Sequence, residues 1–271
     1  MDDRFFFVFF DRFAQEHEDE NETTKTEQFG KKLKGILMPE LLDVLRTEQK
    51  YILNSLERAH LEFILSSALH RDMYSGGQGY LVRSLYFDTF DDADFHDKID
   101  GLEMRRKIRL RVYAPDASTT KLELKEKQGS AQRKRSLRLT REQAQRLCAG
   151  EYEVLAQQGS EFAMELYTRM QQFGYRPKCI VEYDRMAFMV PENDTRITLD
   201  SSLRMNANRL DLFAPDLSFV PVGLPTDTTM EVKFNGFLLS YVKDLISLSS
   251  RMRCSNSKYC AARNLTLRND P

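Results

Sequence analysis

The chain has 271 residues, enough to bury a core without disulfides or a structural metal. Its 40 Lys and Arg nearly cancel 41 Asp and Glu, for a formal net of −1, which excludes a wholly basic nucleic-acid coat and a wholly acidic solvating chain. With 41% hydrophobic and 11% aromatic residues, global disorder is excluded as well. The balance conceals a segregation. Residues 1–30 hold nine acids and three bases, a net of −6, whereas residues 98–138 hold thirteen bases and five acids, a net of +8.

Residues 1–33 read as an acidic tail, either disordered or an arm for a partner, and 34–271 as a single domain with no repeat or linker dividing it. The apolar run Phe5–Phe10 is too short for a signal-peptide core or a membrane span. No later window approaches the ~20 apolar residues of a membrane helix. Cys148, Cys179, Cys254 and Cys260 form no C-x-x-C pair, and the pattern predicts reduced thiols in a cytoplasmic protein. His17, His60, His70 and His96 are scattered, so a zinc hydrolase or a Ser-His-Asp site has no support.

In chain order, Glu48 and Lys50 alternate with Gln49 and Tyr51 as in a strand. Residues 55–69 predict a helix with Leu56, His60, Phe63 and Ile64 on its core side. In 105–113, Arg105, Lys107, Arg109, Arg111 and Tyr113 share one strand face, with Arg106, Ile108, Leu110 and Val112 on the other. In 121–127, Lys121, Glu123, Lys125 and Lys127 face one way and Leu122 and Leu124 the other. Helices follow at 140–148, capped by Thr140 and ended by Gly150, and at 151–173, with Phe162, Leu166, Met170 and Phe173 inward. Tyr183 and Arg185 share a face of the strand 180–188. Arg196, Thr198 and Asp200 oppose Ile197 and Leu199, and Glu231 and Lys233 oppose Met230, Val232 and Phe234. A last helix is expected over 237–248, with Leu238, Tyr241, Val242 and Leu245 inward.

An antiparallel sheet with one solvated face accounts for any single strand of this kind. Five or six such strands in one domain need more, because like charges in a row repel. Carboxylates on neighbouring strands, a bound anion, or both would compensate them. Curling the sheet so that the charged faces point inward makes an α+β fold with a cation-lined tunnel and helices on its apolar outside.

Eight pieces run in one order: Arg46-x-Glu48-x-Lys50-Tyr51, Ser84-x-Tyr86-Phe87-Asp88-Thr89, Gly101 with Arg105 through Tyr113, Leu122-Glu123-x-Lys125 with Lys134, Val181 through Phe188, Arg196 through Asp200, Glu231-x-Lys233 and Ser257-Lys258-Tyr259. Together they resemble the polyphosphate polymerase (VTC) domain, a branch of the triphosphate tunnel metalloenzymes and CYTH-like proteins. The resemblance covers about 44–262 and implies an eight-stranded antiparallel β-barrel tunnel with flanking helices. It implies ATP, inorganic polyphosphate or triphosphate as ligands, with Mn2+ or Mg2+. It implies that Lys50, Arg109, Arg111, Lys125, Arg185, Arg196, Lys233 and Lys258 contact phosphate. By the same logic Arg105, Lys107, Lys134 and Tyr183 are secondary candidates. It implies Glu231 as a metal ligand, with Glu48 and Glu123 as further candidates. Triphosphatases of the superfamily open with E-x-E-x-K, whereas this chain has Arg46 in the first acidic position, which favours the polymerase branch. The expected reaction is transfer of the γ-phosphate of ATP to a growing chain. The alternatives are a tripolyphosphatase or nucleoside triphosphatase, and a non-catalytic binding module. No nucleic acid and no membrane span are expected.

Overall fold

Alternation of charged and apolar residues gives each strand two unlike faces, and the sheet curls to separate them. The computed structural model describes residues 44–45, 47–75, 78–129, 131–247 and 251–269. The expectations for the 1–33 tail and for Arg46 lie outside these residues.

Among the described residues eleven strands form one antiparallel sheet: β1 (Val44–Leu45), β2 (Thr47–Leu53), β3 (His70–Arg71), β4 (Tyr80–Asp88), β5 (Met104–Val112), β6 (Thr119–Gln128), β7 (Ala131–Thr140), β8 (Arg176–Val190), β9 (Thr195–Asn206), β10 (Val220–Pro221) and β11 (Thr228–Phe234). Their order is β1-β7-β6-β5-β4-β8-β9-β11-β2, with β3 and β10 as short additions on β8 and β9. Eight of the strands are seven residues or longer, matching the expected number; the other three have two residues each. The sheet is curled rather than closed by ladders. Its two end strands, β1 and β2, follow one another in the chain.

Seven α-helices lie among the described residues: α1 (Ser55–Ala68), α2 (Ala93–Ile99), α3 (Arg141–Cys148), α4 (Glu153–Ala156), α5 (Glu161–Gln172), α6 (Ser240–Leu245) and α7 (Lys258–Asn269). Helices α3–α5 cover the apolar backs of β4–β7, where Leu85, Ile108, Leu110, Leu122, Leu124 and Leu137 meet Leu147, Phe162, Leu166 and Met170. Helices α1 and α6 cover the backs of β2, β8, β9 and β11, packing Leu61, Leu65 and Val242 on Phe188, Ile197, Met230 and Val232. A third cluster lies where α7 meets β4 and β8, joining Tyr259, Cys260 and Ala262 to Val82, Tyr86, Val181 and Tyr183.

Three helix expectations change. In α1 the buried pair is Leu61 and Leu65, while Leu56 and Phe63 are 81% and 73% exposed. The helical period was right and its phase was not, because the apolar stripe has two candidate centres. The single helix expected over 151–173 is two, broken at Gly159 (φ +66), with Ser160 capping α5 by accepting from the Ala163 amide. The last expected helix is shorter, Ser240–Leu245, and exposes Tyr241. The cap of α3 is as expected: Thr140 and Gln143 satisfy each other's backbone amides.

Candidate functional site

The inward faces of the strands meet around a cavity of about 480 Å3. Strand β5 supplies Arg105, Lys107, Arg109 and Arg111, and β6 supplies Lys125 and Lys127. Glu48 and Lys50 come from β2, Glu231 and Lys233 from β11, Tyr183 and Arg185 from β8, and Tyr86 from β4. Helix α2 adds Lys98, and the segment 254–259 closes one side with Lys258. Arg106 also borders the cavity despite its opposite parity. Twelve cations and two carboxylates thus line one space.

Ladder register explains the convergence. Glu231 stands directly opposite Lys50, Lys233 opposite Glu48, and Arg109 opposite Glu123. The turn before β4 must approach β8 closely: Gly79 has φ +87, and a Cβ there would meet the Arg185 carbonyl oxygen at 2.5 Å. The segment 254–259 is tied to β2 by Cys254 N–H donating to Lys50 O at 2.9 Å and Lys50 Nζ donating to Asn256 O at 3.2 Å. It is tied to β5 by Lys107, whose ammonium donates to Ser257 Oγ. Tyr259 stacks on Tyr86 at 5.0 Å and donates to Asp88 Oδ2 at 2.6 Å. Asp88 also accepts from the amides of Thr89, Asp94 and Phe95, so this one buried carboxylate joins β4, α2 and α7.

The carboxylates are wrapped by bases. Glu231 lies 3.1 Å from Lys50, 3.2 Å from Lys233, 3.0 Å from Lys258 and 3.6 Å from Arg185. Glu48 lies 3.2 Å from Lys50, 3.0 Å from Lys125 and 3.9 Å from Lys233. Asp200 holds Arg185 and Lys258, each at 2.6 Å. Arg111 is buried with its Nε unpartnered, and its nearest carboxylate, Glu123, is 3.8 Å from Nη1.

Titration follows from this wrapping. Burial pushes Glu231 and Glu48 up, but Lys258 and Lys50 for Glu231, and Lys233 for Glu48, hold both below the usual carboxylate range. Burial pulls Lys50 and Lys258 down, and their acid neighbours more than restore them. Lys125 has too little compensation: burial, with Lys50 and Lys233 nearby, lowers it to about 7 despite Glu48. Lys107 is lowered as well, chiefly by burial.

Of the eight primary phosphate candidates, seven line the cavity: Lys50, Arg109, Arg111, Lys125, Arg185, Lys233 and Lys258. Arg196 does not. Its Nη2 donates to Asp72 Oδ2 at 2.5 Å and to Tyr80 Oη at 2.8 Å, which turns it toward the loop after β3. Among the secondary candidates, Arg105, Lys107 and Tyr183 line the cavity. Lys134 instead pairs with Glu123 at 2.9 Å. Glu123, a further metal candidate, is 2% exposed, does not border the cavity, and is engaged by Arg109, Arg111 and Lys134. Sequence reasoning missed Lys98, Lys127 and Tyr86 as lining groups and Asp200 as the anchor of Arg185 and Lys258. Parity flagged Lys127 and Asp200, whereas nothing local flagged Lys98.

No group of three His, Cys, Asp or Glu side chains able to hold a metal stands among the described residues. Glu48 and Glu231 both border the cavity and share Lys50 and Lys233. They are oxygen donors of the kind a hard divalent cation takes.

Among solved structures, the chain is similar to a Hippeastrum protein named for adenylyl cyclase and for a dominant triphosphatase activity, with 15% identity and a TM-score of 0.50 over 81% of this chain and 95% of that one. It is also similar to a Bacillus halodurans protein named for adenylate cyclase, with 12% identity and a TM-score of 0.49 over 79% of this chain and 96% of that one. The first likeness supports the tunnel fold. A search of curated proteins returned no significant match. No helix among the described residues is long and apolar enough to cross a membrane. The VTC domain family model matches residues 45–267, spanning all of the cavity-lining residues, and the chain belongs to that family.

Proposed function

We propose that the chain is a metal-dependent polyphosphate polymerase that transfers the γ-phosphate of ATP to the end of an inorganic polyphosphate chain. The observation that supports it most is the excess of cations over carboxylates in one cavity, twelve against two. An anion with several charges completes such a set. Arg109, Arg111 and Arg185 present planar forks to phosphate oxygens, and Lys50, Lys125, Lys233 and Lys258 add point charges. Glu231 and Glu48 would hold Mg2+ or Mn2+, which when bound neutralises phosphate charge and steadies the leaving group.

The attacking group is a terminal phosphate oxygen of the acceptor chain. It is already anionic, so it has no proton to lose. A new O–P bond forms to the γ-phosphorus, the bond from the β-phosphate oxygen breaks, and ADP departs. The protein's part is alignment and fixed charge, which lowers the barrier without a general base. None of the described histidines lines the cavity. One observation favours a second reading, hydrolysis. A lysine lowered to about 7 is matched to taking a proton from water, and Lys125 is such a lysine.

Purified protein with ATP and Mn2+ separates the readings. A polyphosphate ladder is the expected product. Phosphate release without chains would replace the polymerase by the hydrolase. Polyphosphate binding with neither product would leave a binding module.

A further inference from the structure

Of the seven primary candidates that line the cavity, Lys258 alone comes from a helix. It opens α7, and its ammonium reaches Asp200 at 2.6 Å, Glu231 at 3.0 Å and the face of Tyr183, 4.8 Å from the ring centroid. Ladder hydrogen bonds fix the strands, whereas α7 lies outside the sheet and side chains must place it. Two acids of one turn are aimed at it. Asp88 ends β4, and Asp92 immediately precedes α2. Asp88 Oδ2 accepts from Tyr259 Oη at 2.6 Å. Asp92 accepts from both arms of Arg263, from Nε at 3.0 Å and from Nη2 at 2.8 Å. Tyr259 and Arg263 are four residues apart, so they share one face of α7, and their two acids stand four residues apart along the turn that meets it. Lys258 precedes Tyr259 by one position, about 100° round the helix axis, which turns it from the anchored face to the cavity.

Both acids are buried and held in place from behind. Asp88 Oδ1 accepts from the amides of Thr89 and Asp94, and Oδ2 from the amide of Phe95 as well as from Tyr259. Burial and Asp88 push the Tyr259 phenol far up, so its hydroxyl keeps its proton and stays a donor. Asp92 takes φ +58, a left-handed conformation that glycine adopts more freely, and also pairs with Lys178 of β8 at 3.1 Å. Neither acid borders the cavity, and Arg263 does not border it either. We propose that Asp88 and Asp92 are positioning residues that act through Tyr259 and Arg263 to set α7 at the depth where Lys258 meets the bound anion. This rests on the anion-binding reading above and adds to it a clamp behind the cavity wall that governs one cation inside.

The test is a double-mutant cycle, read by calorimetric titration of inorganic tripolyphosphate at low salt with a thermal melt of each variant. Tyr259→Phe keeps the ring on Tyr86 and removes the hydroxyl. It should weaken binding about fivefold in the otherwise unaltered protein and less than about twofold in a Lys258→Met background, because residues that act through one another are not additive. Arg263→Gln, at the other anchor, should repeat the pattern at about threefold, and it carries the test if Tyr259→Phe does not fold. Arg263→Lys should recover part of that loss by keeping a charge beside Asp92. A merely structural role would lower the melting temperature and weaken binding equally in both backgrounds, which overturns the clamp. Unchanged affinity in both anchor variants overturns it too, since Asp200 and Glu231 would then hold Lys258 unaided, and so does a Lys258→Met variant that binds as tightly as the unaltered protein. If the unaltered protein binds no tripolyphosphate, the anion-binding reading itself falls and the clamp falls with it.

Discussion

The sheet carries two buried charge networks, one on each face, and they are built differently. On the outer face Arg83 Nε meets Glu182 Oε2 at 2.5 Å, and Arg83 Nη1 donates to Ala214 O at 2.6 Å and Leu212 O at 3.3 Å. Arg204 binds the other oxygen of Glu182 at 2.7 Å. Nε and Nη1 of the guanidinium and both oxygens of the carboxylate are engaged within the protein. On the inner face cations outnumber carboxylates, and lysines stand opposite lysines or arginines. A closed network fastens β4 and β8 to the 212–214 loop. An open one stores binding capacity for an anion. Surplus, rather than burial or charge alone, distinguishes the candidate site.

The comparison can be broken first where its effect is largest. Arg83→Met leaves Glu182 buried with half its partners. It should lower the unfolding free energy by about 3 kcal/mol in urea titration, since breaking a buried pair strands a charge. Tripolyphosphate affinity of the remaining folded protein should be unchanged. A loss of affinity comparable with the loss of stability would show that the two faces are one network.

The converse change is Arg111→Ala. Among the described residues its one ion pair is long, and Arg109 and Lys134 remain on Glu123, so stability should fall less than in Arg83→Met, whereas tripolyphosphate affinity should fall about 10- to 100-fold through loss of a charged hydrogen bond. Calorimetry alongside a thermal melt checks both halves. A large stability loss with little effect on binding would place Arg111 with Arg83 as a structural group.

A smaller effect comes from Lys125. Lowered to about 7 in the free protein, it is charged below that pH and neutral above it. Anion binding favours the charged form, so tripolyphosphate affinity should decline as pH rises through about 7, and binding near that pH should take up a proton. Lys125→Arg should flatten the profile, because a guanidinium stays charged. A profile that is flat in the unaltered protein would remove Lys125 from the anion's neighbourhood.

Much of this site was legible in the sequence because strands betray their faces. Arg109 and Arg111 alternate with Ile108 and Leu110, and a period of two places them together without any knowledge of the fold. The same rule reached Lys50, Lys125, Arg185, Glu231 and Lys233. What it could not reach depends on neighbours. Arg196 has the right parity, yet Asp72 and Tyr80, distant in sequence, draw it away. Lys98 sits near the end of a seven-residue helix whose position against β5 only tertiary packing decides. The phase of α1 was misread because Leu56 and Phe63 repeat at helical spacing as well as Leu61 and Leu65 do. The family resemblance, rather than parity, singled out Lys258, which opens α7 and reaches Glu231 and Asp200 across the cavity.

The smallest effect tests a residue that the resemblance nominated for phosphate. Lys134 is the partly exposed member of the cluster around Glu123, paired with it at 2.9 Å and absent from the cavity lining. Its ammonium is lowered by burial, with Glu123 opposing. If its role is to help Arg109 and Arg111 balance Glu123, then Lys134→Met removes one of three counter-charges and leaves the two arginines in place. Tripolyphosphate affinity should then change by less than about threefold, the scale of a partly solvated ion pair. Glu123 is held below the usual carboxylate range, against burial, by Arg109, Arg111 and Lys134 together. Loss of one of them should raise the pH at which acid unfolding begins, because a carboxyl with a depressed pKa contributes stability that disappears as it protonates. A drop in affinity equal to that of Arg111→Ala, with acid unfolding unmoved, would instead return Lys134 to the phosphate-binding face.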